Sequence, residues 1–243
     1  MMGDGLDLSK EETEVLVLLL AEPNLHLTSL QYFADEATRH YNKLLGLSNG
    51  EILSKENIAL YERMQSFSLG AIIGGVSFLE TQINDFFGKC NDLDGDDSGL
   101  LEGTLLTSTE LKVIRAVCKF PNFERISTLD KYSEALRLAD RNGFDKGGRV
   151  YHETKELIDF RNSLIHFQHY TAPSRLKTAR KITTFLETKK IRPLVIGEFP
   201  YSYLTGPTAQ WASVAAIQFF TQFCKLLHAG SPEDKKLRGM SAN

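Results

Sequence analysis

A chain of 243 residues with 42% hydrophobic side chains carries enough apolar material for one sizeable core, which excludes disorder over most of its length. Its longest apolar runs, residues 15–21 and 69–79, fall short of the roughly 20 residues that span a bilayer. Glu11, Glu12 and Glu14 give the first run the wrong charge for a secretory leader, so the expectation is a cytosolic (cytoplasmic) protein without membrane contact.

The net charge of −3 hides an asymmetry. Residues 1–110 carry 19 acidic and 6 basic side chains, a balance of −13; residues 111–243 carry 12 acidic and 22 basic, a balance of +10. A polyanion is repelled by the first half and drawn to the second, unless the charges simply decorate two faces of one globule. Cys90, Cys118 and Cys224 are odd in number, widely spaced and without a C-x-x-C pair. That argues against a disulfide framework or a zinc site, and for small buried hydrophobes.

In chain order, helix signals dominate. A short helix is predicted over residues 10–21, closed by Glu22-Pro23-Asn24. A second runs over about 27–45 and stops at Ser48-Asn49-Gly50. From 57 to 87 the residues Tyr61, Met64, Phe67, Ala71, Leu79, Ile83 and Phe86 recur at threes, fours and their sums, which marks an amphipathic helix. Gly70, Gly74 and Gly75 each cost that helix about 1 kcal/mol relative to Ala. Either another backbone approaches there or the helix breaks in two.

Residues 92–103 form an acidic loop. Asp92, Asp94 and Asp96 alternate as in a calcium loop, but Asp97 stands where its sharp turn needs Gly, and Gly103 where a bidentate Glu belongs. A solvated loop without metal is the reading. Thr107-x-x-Glu110 is a capping box opening a helix through Phe120, before Pro121. Thr128 starts another to about Asn142, stopped by Gly143. After Gly147-Gly148 a helix over about 150–170 ends before Pro173, and Ser174 caps a basic helix to about Lys190.

Residues 192–207 hold three prolines, two glycines and Leu194-Val195-Ile196, and read as extended chain or a small hairpin. The last helix, over 208–228, repeats Trp211, Val214, Ile217, Phe220 and Leu227, and the polar tail from Gly230 is loose. The class is all-α. Its organisation is a helical extension over 1–56, a main helical domain over 57–229 with the short insertion before its last helix, and the tail over 230–243.

One spacing bears on chemistry: Arg161-Asn162-Ser163-Leu164-Ile165-His166. With 12 Arg and 6 His in the chain, an Arg-x4-His pair arises by chance about 0.3 times, so spacing alone is weak. The weight falls on Asn162 after the Arg, on the helical setting, and on the basic stretch that follows. Arg175, Lys177, Arg180, Lys181, Lys189, Lys190 and Arg192 stand there against Glu187 alone. Such a cluster suits RNA phosphates; a solvated basic helix face explains it equally.

With Arg, a polar residue and His in this order, the segment resembles the HEPN superfamily. These are small helical bundles found in prokaryotic toxins, abortive-infection proteins and CRISPR-associated ribonucleases. Arg161, Asn162 and His166 match the family pattern residue by residue, and the resemblance covers about residues 65–228. It implies a HEPN-like bundle and a metal-independent endoribonuclease without cofactor, acting on RNA. It also implies a homodimer whose two motifs share one cleft, with an antitoxin or another defence component as partner.

The chemistry is consistent with that resemblance. A histidine titrating near neutrality moves protons, and an arginine fork stabilises a crowded phosphate. Asn162 and His166 are four apart and share a helix face, so Asn162 can orient the imidazole, whereas Arg161 lies about 140° from His166. Leu164 and Ile165 are expected to face the core. His169 is a secondary candidate at the cleft edge, and the resemblance implies that Glu80, which shares a face of the long helix with Asn84, approaches the motif, with ordinary surface roles as the alternative; Tyr170 could stack a base. No phosphate loop, H-E-x-x-H or G-x-S-x-G motif occurs. The alternative function is a non-catalytic helical protein binding a partner, RNA or a nucleotide within a defence system.

Overall fold

The structure, a computed structural model, describes residues 25–92, 106–120, 122–165, 173–195 and 197–229. The predicted helix over 10–21, most of the acidic loop and the tail lie outside them. The fold is all-α. The described residues form helices α1 (Leu25–Leu44), α2 (Asn49–Ile52), α3 (Ile58–Asp92), α4 (Ser108–Cys118), α5 (Thr128–Leu138), α6 (Arg149–Ile165), α7 (Pro173–Thr188) and α8 (Gly206–His228), with no strand among them. The chain divides into two compact units, and α3, α6 and α8 contribute to both.

One unit comprises Asn24–Phe78 and His152–Ile217 and carries Arg161. Helix α1 is part of it, with Leu30, Ala34, Ala37 and Leu44 buried at the three- and four-residue spacing of an amphipathic stripe. Ser48 opens α2 instead of only ending α1: its side chain accepts from the Glu51 amide while the Glu51 carboxylate accepts from the Ser48 amide at 2.7 Å. Leu44, Ile52, Met64 and Val195 then close a small core.

Helix α3 runs unbroken for 35 residues, so the glycines mark no break, and close neighbours stand at Gly70 and Gly75 but not at Gly74. A Cβ at Gly70 would sit 3.0 Å from the Phe33 ring, and one at Gly75 would sit 3.4 Å from the Ala212 carbonyl oxygen and the Leu157 side chain.

The segment before α8 is not a hairpin. Pro193 and Pro200 lack the amides a ladder needs. The carbonyls of Tyr201 and Thr205 instead accept from Gln65 Nε2 at 3.0 Å and Ser68 Oγ at 3.0 Å, both on α3. Val195 is buried as a core plug, and the 3-10 turn Tyr201–Tyr203 leads into α8.

The second unit contains Leu79–Tyr151 and the chain from Gln218. The Thr107–Glu110 capping box opens α4 as its spacing predicts. Helix α5 begins after its N-cap Ser127 and stops at Leu138, short of the predicted Asn142. Asp140 takes the left-handed turn (φ 51°), and the Arg141 amide donates to the Leu136 carbonyl at 2.8 Å, so the chain reverses before Gly143. Tyr132 fills the centre, donating to the Leu79 carbonyl at 3.0 Å and meeting Phe219 and Phe223 edge-on. Cys90 and Cys224 are buried hydrophobes and Cys118 is partly covered. Burial, then the neighbouring Cys118, pushes the Cys90 thiol up to about 12, and burial raises Cys224 as well, which leaves both unreactive.

Candidate functional site

The candidate residues begin with helix α6. Glu153, Glu156, Leu157, Phe160 and Leu164 form its buried face, and Phe160 stacks on Phe199 with centroids 5.4 Å apart. Arg161 and Asn162 sit in the last turn, both half-buried. Ser163 turns its hydroxyl back onto the Phe160 carbonyl at 2.7 Å, a local bond that occupies its proton. Leu164 is buried as expected, but Ile165 is 51% exposed, because one further step of about 100° carries it off the apolar stripe. His166, His169 and Tyr170 lie outside the described residues.

Upstream of the motif is a feature the sequence reading does not anticipate. Glu153 and Glu156 are almost fully buried carboxylates, 3% and 1% exposed. Their partners come from α7 and the turn after it. Lys189 pairs with Glu153, while the Lys181 ammonium lies 2.6 Å from Glu156 Oε1 and 3.1 Å from Asp159 Oδ2. His152 Nε2 is 3.7 Å from the same Glu156 oxygen. The Lys181–Glu156 contact is a charge pair without hydrogen-bond alignment, and neither Glu156 oxygen has a directed hydrogen bond among the described residues. Burial works against the Lys181 ammonium, but Glu156 and Asp159 outweigh it and hold its pKa above the ordinary lysine range. The signal was present in the acid spacing Glu153, Glu156, Asp159 on the helix just before the basic one, a pattern that pairs elements instead of marking either alone.

This pairing divides the predicted RNA-contacting cations. Lys177 and Arg180 are exposed on α7, whereas Lys181 is committed to α6; the side chain of Arg175 lies outside the described residues. Glu80 belongs to the second unit, where Thr128 Oγ1 donates to it at 3.4 Å, and one turn on Asn84 accepts from Lys131 Nζ at 2.8 Å.

Among the described residues no three His, Cys, Asp or Glu side chains converge as metal ligands would. No described helix is long and apolar enough to cross a membrane. No protein-family model, no curated protein and no solved structure matches the chain. The resemblance to the HEPN superfamily therefore rests on Arg161-Asn162-x-x-x-His166 and the all-α class alone.

Proposed function

We propose that the chain is a metal-independent endoribonuclease that cleaves single-stranded or structured RNA, with His166 as acid–base group, Arg161 on the scissile phosphate and Asn162 orienting the imidazole. The observation that carries it is the position of Arg161 and Asn162 near the end of α6, five and four residues before His166 in sequence, on a helix held by Phe160, Leu164 and two ion pairs. A helix anchored by buried packing and ion pairs supports precise positioning of Arg161 and Asn162.

In this reading the 2′-oxygen loses its proton to a histidine and attacks the adjacent phosphorus. The bond from phosphorus to the 5′-oxygen breaks, and the leaving oxygen takes up a proton. One Arg and one His serve these steps thinly, so the reading includes a homodimer that brings two motifs to one cleft. By the resemblance, the activity belongs to a toxin or phage-defence system with an antitoxin as partner.

Arg161→Ala and His166→Ala should each lower RNA cleavage by about 100-fold or more while leaving the helical circular dichroism unchanged. Wild-type rates in both variants would overturn the assignment. The second reading, a non-catalytic helical interaction protein, is favoured by the loss of Lys181 and Lys189 to internal ion pairs, since a nuclease gains from free cations. Toxicity on expression that disappears with His166→Ala separates the two.

A further inference from the structure

The cations after the motif are of two kinds. Lys181 and Lys189 are directed at the buried carboxylates of α6. Lys177, Arg180, Lys190 and Arg192 are exposed, and none has an ion pair among the described residues. On α7 the outward row is Lys177, Arg180, Thr184 and Thr188, at spacings of three and four, while Ile182 and Leu186 face the core. Lys190 extends the row by adopting the left-handed turn (φ 61°) in which its amide donates to Glu187 and that of Ile191 to Leu186, and Arg192 follows. The one carboxylate of the helix, Glu187, is engaged by the Tyr203 hydroxyl at 3.1 Å.

We infer that this row is a docking surface for the phosphodiester backbone of a single RNA strand, and that Lys181 and Lys189 do not belong to it but fix α7 to the motif helix. Charge complementarity selects the occupant: four cations without an ion pair among the described residues outnumber the single carboxylate Glu187, and the row carries no apolar surface for a protein partner. The surface is sequence-blind, because it offers phosphate contacts and no base-reading groups. The identity of the strand as RNA rests on the ribonuclease reading.

The test measures binding of a labelled RNA oligonucleotide to the full chain carrying His166→Ala, as a function of salt. Four phosphate contacts predict an affinity loss of about 50-fold between about 50 and about 200 mM salt, from a slope of roughly 0.7 per contact on a single strand. Lys177→Gln with Arg180→Gln should reduce that loss to about 7-fold, whereas Lys181→Gln should leave the slope unchanged. An unaltered slope in the double variant, or no salt-dependent RNA binding by the full chain, overturns the surface. Cleavage is not read here, so a nuclease that fails its own test leaves this result standing or falling separately.

Discussion

Glu156 and Lys181 make the residue-scale case most directly. A carboxylate 1% exposed is costly to keep charged, and its compensation is an ammonium that is itself 46% exposed. Lys181→Met should destabilise the fold by about 1–3 kcal/mol in urea unfolding, toward the low end because solvent screens the lysine side of the pair. Adding Glu156→Gln should recover much of the loss, since the penalty lies in the unpaired charge and not in the absent pair. Equal stability of Lys181→Met and wild type would show the pair to be idle.

His228 ends α8, where exposed carbonyls ordinarily favour a cation. Burial, and then the Arg141 guanidinium, instead hold its imidazole below the usual value of 6.5. Arg141 already serves those carbonyls by donating to Leu227 O at 2.9 Å. The folded state therefore prefers neutral His228, while the unfolded chain takes up a proton at higher pH. That contribution to stability is complete above 6.5 and is lost as pH falls below it toward the folded pKa. The unfolding midpoint should drop between about pH 7.5 and about pH 5.5, and drop less in His228→Gln.

At the scale of elements, local chemistry was legible where it is local. The capping box at Thr107 and the period of α3 are written in neighbouring residues and appear as read. The end of α5, set by the left-handed non-glycine residue Asp140, was not, because Gly is the ordinary marker and Gly143 does not supply the stop. Leu194-Val195-Ile196 read as extended chain or a small hairpin since an apolar run has the same signature whether it joins a sheet or plugs a core.

The glycines turn on contacts from distant sequence, and they differ measurably. A Cβ at Gly74 meets Leu30 only at 3.8 Å, so Gly74→Ala should stabilise by about 0.5–1 kcal/mol. One at Gly206 would lie 2.7 Å from Tyr41 Cβ and 2.9 Å from Thr38 Cα, so Gly206→Ala should cost about 1–3 kcal/mol. Thermal melts of the two variants should move in opposite directions.

For the whole molecule, the charge asymmetry seen in the sequence becomes an internal division of labour. Lys181 and Lys189 neutralise buried acids of their own unit, whereas Lys177, Arg180, Lys190 and Arg192 face outward on α7 and the turn after it. The motif itself was legible as a spacing, but its support was not, because Glu153 and Glu156 acquire meaning only beside Lys189 and Lys181. The central claim is that Arg161 and His166 cleave RNA without metal. The direct measurement is the product of RNA incubated with the full chain in excess chelator. Cleavage yielding 2′,3′-cyclic phosphate and 5′-hydroxyl ends, lost in His166→Ala and Arg161→Ala, is the predicted result. Intact RNA with the wild-type chain, or identical products from all three proteins, contradicts it.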